Sequence, residues 1–366
     1  MMWGGVLLLT LYTGGNIYLF VRLWQSITML PMWLRVAIAL LFWFVAVAMF
    51  LSFGLRDAQL PPSIMQSLFW IGTTWLVFLL YMLLALGIMD LTRLFIPSLH
   101  NGFWYALLAT TILLIYGNIN YRHPRIERVT ISSDKLPAKD SYRVILASDI
   151  HLGYGTTRRD LSRYVDMINR ERGDVVIIAG DLIDNSVIPV AQSDMCREFS
   201  RVEARDGIYL APGNHEYISN IATVKEYLAT TPVRLVQDSV VPLRSNITLI
   251  ARDDRSNRNR KSLEELVAKA GGTTLSIVVD HQPYDIALSD SLGVDIHLSG
   301  HTHRGQVWPL SWITDSIYEQ SHGYRRWRHT HAIVSCGLSL WGPPFRIGTH
   351  SDLYVIDICG AEMSSE

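Results

Sequence analysis

The chain has 366 residues, with 32 Lys and Arg against 33 Asp and Glu, and three cysteines. A net charge of −1 lacks the basic surplus of a duplex-binding surface, which argues against nucleic acid as a stable partner. Cys196, Cys336 and Cys359 are too few and too far apart for a disulfide framework and fit a reducing compartment.

The charges also show where the chain divides. Residues 1–121 hold only Arg22, Arg35, Arg56, Asp57, Asp90 and Arg93, so this third could not stay soluble, and it reads as a transmembrane helical anchor. Four apolar segments fall within it, at about 1–20, 36–53, 64–89 and 102–121. The first lacks a basic start and a small-residue cleavage site, which favours an uncleaved span over a signal peptide. The fourth is unbroken only over 103–116 and fits either a span or an interfacial helix. Trp33, Trp43, Trp70, Trp75, Trp104 and Tyr121 crowd the segment ends, as side chains that prefer headgroups do. An even number of spans leaves both termini on one face. Arg56, Arg122, Arg125, Arg128 and Lys135 would lie there, against Arg22, Arg35 and Arg93 opposite, which places the globular part in the cytoplasm.

Residues 122–141 read as a linker with a first edge strand at 127–132, and residues 142–366 as the globular domain. Buried-type strands are expected at 144–147, 175–179, 208–211, 275–279 and 296–298, with short strands at 233–236, 240–244 and 248–251. Helices are expected at 159–172, 191–204, 221–230 and 263–270. Apolar runs at 332–336 and 353–358 suit antiparallel strands. This alternation with a β-rich tail implies an α/β domain of two packed sheets flanked by helices.

Metal-ligand residue types recur where the apolar runs end: Asp149, His151, Asp181, Asn214, His281, His301 and His303. Carboxylate, imidazole and carboxamide together suit Mn, Fe or Zn better than a calcium or a thiolate zinc site. The alternation Asp149-x-His151 and His301-x-His303 would project each pair from one side of an extended segment. Seven ligands are too many for one tetrahedral ion and fit two divalent ions with a shared carboxylate.

In the form Asp149-Ile-His151, Gly180-Asp181-Leu-Ile-Asp184, Gly213-Asn214-His215-Glu216, His281 and Gly300-His301-Thr-His303, these blocks resemble the calcineurin-like metallophosphoesterases. The resemblance implies an αββα sandwich in which Asp149, His151 and His303 hold one ion, Asn214, His281 and His301 the second, and Asp181 bridges them. The run through Arg304 to Pro309 and residues 337–344 resemble the membrane-anchored branch that includes the bacterial YkuE and YaeI proteins, which usually has Gly where this chain has Arg304. A bacterial inner-membrane location follows as an expectation.

Two cations would activate a water for in-line attack on phosphorus, and the leaving oxygen then needs a proton. His215 is placed to supply it, with Asp184 either orienting its ring or capping the next helix. Arg304 and the stretch with Arg325, Arg326 and Arg328 are candidates for substrate binding, and residues 252–261 read as a mobile basic loop. The anchor favours a phosphorylated lipid or nucleotide-lipid substrate, such as a UDP-diacylglucosamine-type pyrophosphate, with membrane lipids as partners. The alternatives are a general phosphodiesterase or phosphomonoesterase that is merely localised by the anchor, and a non-catalytic sensor.

Overall fold

A computed structural model describes residues 2–55, 60–97, 102–244 and 246–360; Arg56 and Asp57, counted above, lie outside the described residues. The chain forms two compact units, one of Met1–Ile119 with Gly342–Ile347, the other of Asn120–Trp341 with Gly348–Glu366.

The first unit is built on helices α1 (Met2–Ser26), α2 (Met32–Gly54), α3 (Pro62–Arg93) and α4 (Gly102–Tyr121). All four are long and apolar enough to cross a membrane, α4 included. Proline starts two of them where no backbone N–H is needed: Pro31 at the N-cap of α2 and Pro62 in the first turn of α3. Leu19, Phe42, Leu79, Met82, Leu86 and Phe103 pack between them. Gly72 lets α3 touch α2, since a Cβ there would lie 2.2 Å from the Met49 nitrogen. Arg22 and Asp90 pair at 2.5 Å, with the Tyr18 hydroxyl donating to the same carboxylate, so these charges answer each other within the bundle. The 342–347 segment is tied to α4: Asn118 Nδ2 donates to the Pro344 carbonyl at 3.0 Å and the Arg346 N–H to that of Gly117 at 3.0 Å.

The second unit runs β1 (Arg125–Ser133), β2 (Ser141–Ala147), α5 (Arg158–Arg170), β3 (Val175–Ala179), α6 (Val187–Gln192), β4 (Ile208–Ala211), α7 (Asn214–Ile218), α8 (Ile221–Leu228) and β5 (Val233–Leu235). It continues with β6 (Ser239–Pro242), β7 (Ile247–Ala251), α9 (Leu263–Ala270), β8 (Leu275–Val279), α10 (Ile286–Ser291), β9 (Ile296–Ser299), α11 (Leu310–Ile317), β10 (Gly323–Arg326), β11 (His331–Val334) and β12 (Asp352–Gly360). One six-stranded sheet has the order β1-β12-β2-β3-β4-β5, the other β10-β11-β9-β8-β7-β6. Ile177, Val144 and Ile356 of the first sheet meet Ile277, Leu249 and Ile333 of the second in a shared core. The outer face of the first sheet buries Ile145 and Ile178 under Leu161, Val165 and Ile168 of α5, and α9 covers the second with Leu263 and Leu266. The result is helix, sheet, sheet, helix. Each such buried aliphatic side chain contributes about 1.5–3 kcal/mol.

Local chemistry explains most boundaries. Thr157 accepts from the Asp160 N–H while Asp160 accepts from that of Thr157, a reciprocal cap that starts α5, and its buried residues recur at helical spacing. The helix expected at 191–204 is broken. Asp194 turns left-handed at φ 46°, which ends α6 and starts a short 3-10 turn at Met195–Arg201. The last two strands are not simply antiparallel: β11 runs parallel to β9, and β12 is antiparallel to β2 but parallel to β1. Those pairings join segments over 200 residues apart in the case of β1 and β12, so periodicity could not specify them.

Candidate metal centre

Strands β2, β3, β4, β8 and β9 all end on one edge, and the loop after each brings a block of polar residues there. Asp149 and His151 do not project from an extended segment, as their alternation suggested. Both are left-handed, at φ 51° and 48°, as are Asp181 (52°), His301 (71°) and His303 (47°). Non-glycine residues in this region carry strain, and here neighbouring loops hold it in place. The Asp149 N–H donates to the Gly180 carbonyl at 3.0 Å, that of His151 to the Asp181 carbonyl at 2.9 Å, and that of Ser339 to the Asp149 carbonyl at 3.1 Å.

Gly180, Gly213 and Gly300, beside the ligands, permit close approach: Gly180 is left-handed at φ 81°, and a Cβ would sit 2.2 Å from Asp181 Oδ1 at Gly213 and 2.4 Å from Asp149 Oδ2 at Gly300.

Within this frame the side chains converge. His303 Nε2 lies 3.4 Å from Asp149 Oδ1 and 3.1 Å from His151 Nε2. In the second group His281 Nε2 is 3.1 Å from Asp181 Oδ2, and His301 Nδ1 is 2.9 Å from Asn214 Oδ1. The same Asp181 Oδ2 is 3.9 Å from His151 Nε2, so one oxygen faces both groups. All seven expected residues therefore meet. Ligand atoms about 2.0–2.1 Å from a cation stand roughly 3–3.4 Å from one another, and the distances here run from 2.9 to 3.9 Å around that spacing.

The donors also look inward at a shared point rather than at partners. Among the described residues, His281 Nε2 is buried with no hydrogen-bond partner, while His151 turns Nε2 to the shared point and Nδ1 away from it, 3.4 Å from Asp184 Oδ1. His281 Nδ1 can only donate to the Ala179 carbonyl, at 2.7 Å, which leaves Nε2 turned toward Asp181 as the nitrogen that would exchange its proton for a cation. Burial opposes charge on both members of this pair, yet each outweighs it for the other. Asp181 is held well below the usual carboxylate range and His281 well above the usual imidazole range. Burial, reinforced by His281, pushes His301 down to about 4, so its ring is neutral as a ligand must be. These clusters can hold metal ions.

His215 stands beside them. Its Nδ1 is 3.1 Å from Asp184 Oδ1 and 2.9 Å from the Asp184 carbonyl, and its ring meets His151 edge-on at 4.6 Å. It comes near enough to His151 and Asp181 to join a metal cluster, but its Nδ1 is committed to Asp184. Burial would lower its pKa, but Asp184 and Asp181 prevail and push it up to about 9. Asp184 is not a helix cap; Ser186 caps α6.

Other candidates lie elsewhere. Strand β10 runs antiparallel to β11, pairing Gly323 with Val334 and Arg326 with His331, so it carries Arg325, Arg326 and Arg328 away from the edge where the site sits. Arg325 stacks on Trp327 at 4.8 Å. Arg304, left-handed at φ 49°, directly follows His303, with its Nε buried and without a hydrogen-bond partner among the described residues.

The basic run 252–261 is built into the unit as an ion-pair network rather than a free loop. Arg252 contacts Asp280 at 3.0 Å and Asp285 at 2.5 Å, and Arg260 contacts both at 3.2 Å. Sequence reasoning gave Glu216 no role, yet this fully buried carboxylate accepts the N–H groups of Asp181, Leu182, Ile183 and Gly213 at 2.7–3.0 Å. It pins the Asp181 loop to the Asn214 loop. Its signal was an acid beside a histidine in a block otherwise explained by ligands.

The family model for calcineurin-like phosphoesterases matches residues 142–305. An uncharacterized metallophosphoesterase of Helicobacter pylori is 30% identical over 258 residues, spanning 69% of this chain and 68% of its own. Another, of Campylobacter jejuni, is 27% identical over 97% of both chains. A transmembrane protein with metallophosphoesterase domain from Danio rerio is 32% identical over 68% of this chain and 60% of its own. By these relatives and by the αββα fold that gathers the five blocks, the chain belongs to the calcineurin-like phosphoesterase family and is a metal-dependent phosphoester hydrolase.

Proposed function

We propose that the enzyme holds two divalent cations and hydrolyses a phosphoester or pyrophosphate bond of a lipid-linked or nucleotide-lipid substrate at the bacterial inner membrane, with the catalytic unit in the cytoplasm. The observation that carries the two-ion reading is Asp181 Oδ2, which faces both groups of nitrogen and oxygen donors. Asp149, His151 and His303 would hold one ion and Asn214, His281 and His301 the other. Mn, Fe and Zn all suit this donor set. Bound there, the ions supply Lewis acidity toward phosphoryl oxygens and lower the pKa of water.

The rest is done by side chains. His215, fixed through Nδ1 by Asp184, keeps Nε2 for the substrate and donates a proton to the leaving oxygen. Glu216 fixes the distance between the Asp181 and Asn214 loops. Arg304, adjacent to His303, offers a cation with an uncommitted buried N–H to a phosphate oxygen.

Four helices long and apolar enough to cross a membrane support the lipid-linked substrate, because enzyme and substrate confined to one surface gain effective concentration. The intact protein, reconstituted in bilayer nanodiscs with Mn, Fe or Zn, is to be screened against lipid phosphates, nucleotide-linked lipid diphosphates and soluble diesters. The reading expects kcat/KM for one lipid-linked class to exceed that for every soluble ester by roughly 10²-fold. Faster cleavage of soluble diesters than of any lipid would contradict it.

A further inference from the structure

Exposed large apolar side chains are confined to one edge of the catalytic unit. Among its described residues Ile126 and Tyr324 lie on the outermost strands β1 and β10, and their register sets both toward that edge. The others are Ile188 after β3, Ile218 after β4, Tyr284 after β8, and those of the 308–317 run after β9, each on a segment that follows a strand ending at the metal centre. Scattered exposure would need no explanation, but a ring of it around one mouth does.

Helix α11 is the largest part of this rim. Its apolar stripe faces outward: Trp312 is 65% exposed and Ile313 and Ile317 each 55%, while Ser311 is its one buried residue. Leu310, Ile313 and Ile317 share one face, and Trp308 meets Trp312 edge-on at 5.4 Å. In water this helix would turn its polar residues out, so the reversed arrangement needs an apolar environment to cover it.

The chain brings that environment with it. Helix α4, long and apolar enough to cross a membrane, ends at Tyr121, and β1 begins at Arg125. Four Cα steps of at most about 3.6 Å limit the tether to roughly 14 Å. Indoles favour the headgroup layer, and an outward apolar stripe sinks to the acyl boundary. The helix carries one charge, Asp315, which is engaged by the Ser321 hydroxyl, and no cation, so apolar burial rather than anionic lipid would hold it.

We propose that this rim is a bilayer-docking surface, with α11 in the headgroup layer and Trp312, Ile313 and Ile317 toward the acyl chains, so that the metal centre opens at the membrane surface. Docking gives a lipid headgroup a direct route to the cations; only that route rests on the lipid-substrate reading, and docking itself is measured without substrate.

The test uses the full chain in phosphatidylcholine nanodiscs. An environment-sensitive fluorophore is placed at Ile313→Cys, and separately at Ile317→Cys, in a Cys359→Ser background, since Cys196 and Cys336 are buried. Lys269→Cys, exposed on the α9 end that leads into the opposite edge of β8, is the control. Docking predicts that headgroup-nitroxide lipid quenches the labels at 313 and 317 several-fold more than the label at 269, equally at low and high salt. Labels at 313 and 317 quenched by aqueous iodide as readily as that at 269, with no lipid quenching, would overturn it. Lipid quenching without hydrolysis of any lipid phosphate would uphold docking and remove only the substrate reading; hydrolysis without lipid quenching would overturn docking alone.

Discussion

His215 illustrates how much one side chain owes to its surroundings. An imidazole this buried would normally stay neutral, yet Asp184 and Asp181 push it up to about 9, so it carries a proton at neutral pH. Replacing it by Asn keeps a polar group but removes the transferable proton. The His215→Asn enzyme is expected to lose about 10²- to 10³-fold in kcat while metal content, measured by elemental analysis of the purified protein, stays the same. A parallel loss of metal would mean instead that His215 is a ligand. At this scale the sequence was informative because ligand chemistry restricts residue type: seven positions at strand ends were recognisable, and all seven meet. Glu216 was not, because its work is to accept four backbone N–H groups whose positions depend on two loops far apart in the chain. Arg325 and Arg326 on β10, with Arg328 just after it, misled for the opposite reason. They are near the ligands in sequence, but an antiparallel strand carries them off.

Among the elements, β9 joins the core to the site. His297 lies fully buried on it, between Ser289 Oγ at 2.7 Å and Ser299 Oγ at 3.0 Å. Ser299 spends its hydrogen on the Asp280 carbonyl, so His297 Nε2 donates to Ser299 and Nδ1 accepts from Ser289. Both nitrogens are satisfied only in the neutral ring, and burial pushes its pKa down to about 4 from an ordinary 6.5. The unfolded chain therefore takes up this proton first as pH falls. Its contribution is fully present above pH 6.5 and is lost between 6.5 and about 4, a difference of about 3 kcal/mol. Urea unfolding of the catalytic unit across that range should show a shallower acid loss in His297→Gln than in the unchanged protein; identical slopes would show that His297 does not stay neutral. Element identity was legible wherever an apolar run was long or a cap was present, as in α5. It failed at 191–204, where a left-handed Asp194 breaks the helix, and at residues 252–261 the loop was legible but its anchoring was not. That basic run gave no sign that Asp280 and Asp285 would neutralise it.

For the whole molecule, the division into an apolar helical third and a charged remainder was visible in six charges over 121 residues, because no soluble fold tolerates such poverty. What composition could not show is that the chain returns to the helical unit at Gly342–Ile347 before closing the first sheet with β12. That detour depends on contacts with α4 made by a segment with no periodicity of its own. Nor could it show that exposed apolar residues gather on the one edge that bears the site. The metal centre, by contrast, depends on every scale at once: left-handed residues aim the ligands, strand ends deliver the loops, and the packed sheets keep them within a few ångströms.

The most direct measurement of this account is the number of divalent ions bound per chain in the purified full-length enzyme, taken together with turnover of a phosphoester, before and after Asp181→Ala. Two ions and activity in the unchanged protein, both lost when the shared carboxylate is removed, is the predicted result. Undiminished turnover in the variant, or an active enzyme that binds no metal, would contradict it.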